Sequence, residues 1–189
     1  MEPVRFPFDE TKAVAALTLI LQRSNRSRSK GELVKLLYLA DRAMILKRGS
    51  PITGDIFCAL PHGMIVSKTL SLIDQMILGQ PSELFERNFN VVGKWDLELR
   101  AVPDTGALSR SEIRVLDAVF EEHGNKSFSA LRELTHSLPE YSDPAESSIP
   151  VAPETILAKE RRPEEEIDKL RTKAAQFTQS DELFNRIKE

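Results

Sequence analysis

KLLYLADRAMILKRGSPITGDIFCALPHG, Lys35 to Gly63, decides the fold. Just ahead of it, Ser29 and Glu32 stand at the spacing of a capping box. Leu33, Leu36, Leu37, Ala40, Met44 and Leu46 then recur at steps of three and four, the rhythm of a helix with one buried stripe. Gly49 and Pro51 stop that helix, because glycine tolerates the left-handed closing conformation and proline cannot continue the ladder. Ile52 to Leu60 is rich in β-branched and aromatic residues with a glycine inside, which predicts a short strand or a bulged hairpin arm. A helix leading into a hairpin is therefore the nucleus of the reading.

Outward from it, the pattern stays mostly helical. Asp9 to about Gln22, DETKAVAALTLILQ, predicts a helix capped by Asp9, and SNRSRSK, Ser24 to Lys30, predicts a loop. SKTLSLIDQMIL returns to helical spacing through Leu70, Ile73, Met76 and Ile77 and ends at Gly79. Lys94 to Val102 alternates Trp95, Leu97, Leu99 and Ala101 with Lys94, Asp96, Glu98 and Arg100, which predicts a strand with one buried and one wet face. After the turn Pro103–Gly106, a second capping box, Ser109 with Glu112, opens a helix through Ile113, Leu116, Val119 and Phe120 to Gly124. A further helix runs through Leu131, Leu134 and Leu138 to Pro139.

SDPAESSIPVAP reads as an extended connection, followed by a small helix over Pro153 to Lys159 and a longer one from Pro163. Acids in the first turn of the last helix and bases later suit the helix dipole. Its stripe Ile167, Leu170, Ala174 and Phe177 requires a cover, either the protein's own core or a second copy in a homodimer. The expected class is α+β, predominantly α-helical, a helical bundle around a small antiparallel sheet or hairpin. Residues 1–145 form the main domain, and 146–189 a helical extension packed on the core.

Composition narrows the function. The 189 residues are 41% hydrophobic and 29% charged, as in an ordinary folded domain. The one cysteine, Cys58, can form no internal disulfide, the opening MEPVRFPFDETK has no apolar signal core, and every apolar run is broken by charge well short of the roughly 18 residues a membrane span needs. A cytoplasmic location with no membrane association is expected. A net charge of −3 gives no global attraction for nucleic acid.

No nucleophile elbow, Walker loop, dinucleotide fingerprint or paired-histidine metal motif occurs, so neither an enzyme nor a cofactor or metal site is expected. His62, His123 and His136 are scattered, and a hydrolase built on His62 or His136 has little support. Ser109 to Ser137 has the outline of a helix-turn-helix, which makes a DNA-binding transcriptional regulator the alternative reading. Against it, the second helix is poor in base and Glu121 and Glu122 would face phosphates, so a helical pair inside a larger domain is the simpler account. Arg23, Arg26, Arg28 and Lys30 form a local basic cluster that suits contact with nucleic acid or an acidic partner face, although a solvated loop is the simpler account. Asp41, Arg42 and Asp55 form either a polar network facing a partner or a structural set orienting the next strand; the sequence leaves both open.

The Lys35–Gly63 segment resembles the signature of the SocA-like Panacea antitoxin family, in which a K-L-L-Y-x-A-D helix leads into a P-I-T-G-D-x-F-x-A hairpin. Further pieces occur in family order: Phe8-Asp9 with Lys12, Leu108-Ser109 with Glu112, and Thr135 to Pro139. Where the family commonly has proline after the loop glycine this chain has Met64, and where it often has tryptophan the chain retains an aromatic, Tyr141.

The resemblance implies mostly helices around a small antiparallel sheet. It also implies an antitoxin that binds its toxin directly, on a scaffold encoded beside diverse toxins, often in prophages and mobile elements. Some relatives deliver the toxin to an energy-dependent protease. The expected partner-binding residues lie near the helix and hairpin: Lys35, Asp41 and Asp55 as polar contacts or orienters, Tyr38, Phe57 and Tyr141 as aromatic anchors, with His62 and His136 beside them. For Tyr38 and Phe57, burial in the core is an equal expectation.

Overall fold

The computed structural model describes residues 2–100 and 104–188. The chain opens with α1 (Glu10–Ser24), a two-residue strand β1 (Arg28–Ser29) and α2 (Lys30–Arg48), followed by a hairpin of β2 (Phe57–Leu60) and β3 (Gly63–Val66). Then come α3 (Ser67–Ile77), α4 (Glu83–Asn88), β4 (Phe89–Val92), β5 (Asp96–Leu99), α5 (Arg110–His123) and α6 (Phe128–His136). β6 (Ile149–Val151), α7 (Pro153–Lys159) and α8 (Glu164–Lys188) complete it. Helices predominate, with two three-stranded antiparallel sheets ordered β3-β2-β6 and β1-β5-β4, so the α+β, mainly helical class holds.

α2 is the axis of the molecule. Its capping box is present, Ser29 accepting from the Glu32 amide and Glu32 from the Ser29 amide, and Gly49 closes it at φ +69°. The expected single stripe understates its burial, however. Residues 32–41 are all buried, because α1, α5, α6, α7 and β3 pack around this one helix. A helix covered on every side carries apolar residues all round. Leu33, Val34, Leu36, Leu37, Leu39, Ala40 and Ile45 join α1, α3 and α5 in one core.

Several elements differ from expectation. The segment 24–30 is not wholly loop, since Arg28 and Ser29 pair with Leu97 and Asp96, and Arg28, expected in solvent, is 1% exposed. Only Phe57–Leu60 of the Ile52–Leu60 stretch is strand; the first half is a turn held by side chains, described below. β3, α4 and β4 had no clear signal, being short and flanked by polar residues. Trp95, expected on the buried face, is 45% exposed because it sits in the turn between β4 and β5, before pairing begins at Asp96. The expected strand end at Ala101 and Val102 and the turn residue Pro103 lie outside the described residues.

The extended connection after Pro139 contains β6, which adds to the hairpin opposite Phe57, Cys58 and Ala59. Pro150 is tolerated there because β6 is an edge strand. Ile156 and Leu157 of α7 and Ile167 and Leu170 of α8 enter the main core, so the chain's own interior covers most of the C-terminal stripe. Phe177 stays half exposed, edge-on against Phe6 at 5.7 Å between ring centres. Among the described residues, no helix is long and apolar enough to cross a membrane.

Candidate functional site

The eight residues singled out from sequence separate into a buried scaffold and a surface corner. Asp41 belongs to the scaffold. It is fully buried, its Oδ1 accepting from the amides of Ile52 (2.7 Å) and Thr53 (3.0 Å) and its Oδ2 from the Thr53 hydroxyl (2.5 Å). Burial pushes its carboxyl up to about 7, against the pull of those three bonds. Asp55, also buried, accepts from the amides of Ile56 and Lys68, and from both the amide and the hydroxyl of Thr69. Thr53 links the two, its hydroxyl oxygen accepting from the Asp55 amide at 3.2 Å. Of the two readings left open for these acids, the geometry is that of the orienters: they fold the PITGD turn and launch the hairpin.

Arg42 is not part of that set. It lies on the other side of α2, where its guanidinium reaches Glu140 at 2.7 and 3.2 Å and also Glu160, just past α7. Tyr38 donates its hydroxyl to the same Glu140 at 2.6 Å. Burial alone would lower the Arg42 pKa, but the bonds and charge of Glu140 outweigh it and raise it; burial and Glu140 both hold the Tyr38 hydroxyl protonated. The Tyr38 ring packs edge-on against Phe57 at 5.4 Å between centres, and both rings are core.

Lys35, His62, His136 and Tyr141 come together at the hairpin tip, where α6 crosses it. Leu60 and Gly63 pair across a two-residue turn, Pro61-His62. Gly63, at φ +98°, presses so closely on α6 that a Cβ there would collide with Thr135 Oγ1. Lys35 is 1% exposed and donates to the His62 carbonyl, with its ammonium 5.7 Å from the centre of the Phe128 ring. The imidazole of His136 stacks on Tyr141 at 4.4 Å and 14°, and the Tyr141 hydroxyl donates to the Leu60 carbonyl at 3.2 Å. His62 is exposed and sits edge-on to Phe128, itself 39% exposed.

Arg132 of α6 lies close enough to this corner for its charge to act on Lys35 and His136. Burial and then Arg132 lower the Lys35 ammonium to about 8, and burial, Arg132 and Lys35 together lower the His136 imidazole, although a bond to the Pro61 carbonyl pulls the other way. His136 Nε2 is buried with no hydrogen-bond partner. No nucleophile is aligned with a base in this set. Among the described residues, no group of three or more His, Cys, Asp or Glu side chains is placed to hold a metal.

The family model of the SocA-like antitoxin Panacea domain matches residues 33–141. The chain belongs to the SocA-like Panacea antitoxin family. The match runs from the first turn of α2 to Tyr141, so it takes in the scaffold acids, the Tyr38–Glu140 pair and the whole hairpin-tip corner of this Panacea domain. No curated protein and no solved structure matches the chain significantly.

Sequence reasoning missed Glu140, Phe128 and Arg132. Glu140 follows a helix-stopping proline in a polar segment and reads as surface, since nothing local shows that it meets Arg42 and Tyr38 across about a hundred residues. Phe128 and Arg132 lie one turn apart on α6, a spacing that puts them on one face and was open to recognition.

Proposed function

We propose that this chain neutralises a cognate toxin by binding it directly, using the hairpin-tip corner as the docking face. The observation that carries the reading is that the family match covers this corner, where His62, Phe128 and Arg132 reach solvent beside half-buried His136 and Tyr141. Aromatic and cationic side chains gathered on a rigid support are the residue types that dominate binding energy at protein interfaces. Lys35, Tyr38, Asp41, Asp55 and Phe57 serve the interaction from below, by holding the hairpin against α2 and α6. In this role the protein is a binder rather than an enzyme. Residues 1–145 act as the antitoxin domain and 146–189 as a brace, and the activity belongs to the cytoplasm, in keeping with the lone, unpaired Cys58.

Co-expression with the product of the adjacent gene tests it. Growth arrest by that product alone, relieved by this chain and accompanied by co-purification, is the expected result. Relief with a falling toxin level, dependent on an energy-driven protease, would make the chain an adaptor rather than a blocker. A neighbour that is harmless alone and never co-purifies would sink the reading.

A further inference from the structure

Among the described residues, the buried charges are compensated with one exception. Glu112 meets Lys12 at 2.7 Å, and Glu140 meets Arg42 at 2.7 Å. Asp41 and Asp55 are wrapped in amide and hydroxyl donors. Buried Arg28 lies 3.9 Å from Glu32. Lys35, equally buried, has only the His62 carbonyl and the face of Phe128. Among the described residues it forms no ion pair, and neither does Arg132, exposed on α6 and near enough for its charge to act on Lys35. An ammonium placed under the surface without a counter-charge is costly to the fold, and a carboxylate arriving from outside would recover that cost.

We infer that Arg132, backed by the buried Lys35 and flanked by His136, receives a glutamate or aspartate side chain of the protein docked at the hairpin tip. This assignment rests on the docking reading above and names the chemistry of the partner at its centre. A guanidinium matches a carboxylate in two parallel bonds, and the nearby Lys35 ammonium adds to its attraction. The other charged neighbours are few: Asp143 lies on the His136 and Tyr141 side, and Glu133 adjoins Arg132 on α6. Phe128, partly exposed, and the stacked His136–Tyr141 pair supply aromatic surface at the same corner. Phosphate of a nucleic acid fits less well, because exposed Glu121 and Glu122 on α5 and Glu133 on α6 would repel an extended polyanion.

The experiment titrates the full chain with N-acetylglutamate amide, using the neutral glutamine analogue as control, and follows the His136 imidazole and Arg132 side-chain resonances by NMR. Saturable shifts with the glutamate compound alone are expected. Arg132→Gln, an exposed change that spares the core, should weaken the binding about tenfold or more, and Lys35→Met should do the same wherever its spectrum shows an intact fold. No shift, equal shifts with the glutamine analogue, or shifts produced only by a duplex oligonucleotide would overturn the site.

A second arm separates this inference from the reading it rests on. If Arg132→Glu still neutralises the toxin, the carboxylate site falls and docking stands. If the wild type never neutralises its neighbour, docking fails, and the titration alone decides whether the site takes a carboxylate.

Discussion

The Asp55 carboxylate accepts both the backbone amide and the hydroxyl of Thr69, at 2.8 and 2.6 Å. Thr69 is the third residue of α3, whose own cap position, Val66, offers no side-chain bond. Asp55 is therefore a helix cap supplied from the far side of the hairpin, and it satisfies the free amides of Lys68 and Thr69 that a valine cannot. Replacing it by alanine leaves buried donors unmatched. Asp55→Ala should lower the unfolding free energy by about 2–4 kcal/mol, with Asp55→Asn intermediate, in urea denaturation. A loss below about half a kcal/mol would show that water serves those amides as well.

Asp41 makes stability depend on pH. Its carboxyl ordinarily titrates at 3.8 and is raised to about 7, first by burial. Below about pH 4 the proton is held in both folded and unfolded chains. Between there and pH 7 the folded chain keeps a proton that the unfolded chain has released, so stability declines as pH rises through this window and levels off above it. Asp41→Asn retains an acceptor oxygen for the Ile52 and Thr53 amides but cannot titrate. The wild-type advantage over Asp41→Asn should shrink by on the order of 2–3 kcal/mol from pH 5 to pH 8. Parallel stability profiles for the two proteins would contradict it.

The helices other than α4 were legible because their signals are local: capping boxes at Ser29 and Ser109, stops at Gly49 and Gly79, and apolar steps of three and four. β3 and β4 were not, because four residues carry too little pattern to distinguish a strand from a loop, and their pairing partners are fixed by tertiary contacts. The family signature lies on α2 and the hairpin, but which of its residues face outward depends on packing. Asp41 reads from sequence as a polar contact or an orienter, and Tyr38 and Phe57 as anchors or core; all three lie inside, where α2 and the hairpin pack together. Nothing local ties Arg132 to the Lys35 charge, because their nearness spans about a hundred residues of chain.

Gly63 offers a direct measure of how tightly the hairpin and α6 are locked. Alanine at this position meets two obstacles: a backbone at φ +98° and a methyl group driven into Thr135 Oγ1, with His136 and the Lys35 ammonium each at 3.1 Å. Gly49→Ala is the matched comparison, since it has φ +69° but nothing within 4 Å. Gly49→Ala should cost about 1 kcal/mol from conformation alone, and Gly63→Ala at least about 2 kcal/mol more, read by thermal and urea unfolding. Equal losses at the two glycines would mean that α6 yields easily to the hairpin.

Arg42 and Glu140 join the family domain to the C-terminal helices, because the same guanidinium that holds Glu140 also holds Glu160. The Glu140 side chain is wholly buried, and without Arg42 its charge would keep only the Tyr38 hydroxyl. Removing one member of a buried pair costs far more than the pair itself contributes, since the survivor is stranded in a medium of low polarity. Arg42→Leu should therefore destabilise by about 3–5 kcal/mol, whereas Arg42→Leu combined with Glu140→Gln should recover a measurable part of that loss. Such recovery in a double-mutant cycle identifies the stranded charge as the cause. If the double variant is as unstable as the sum of the singles, the loss comes from the packing of the Arg42 stem and its hold on Glu160, and the buried carboxylate is stabilised by something other than its guanidinium partner.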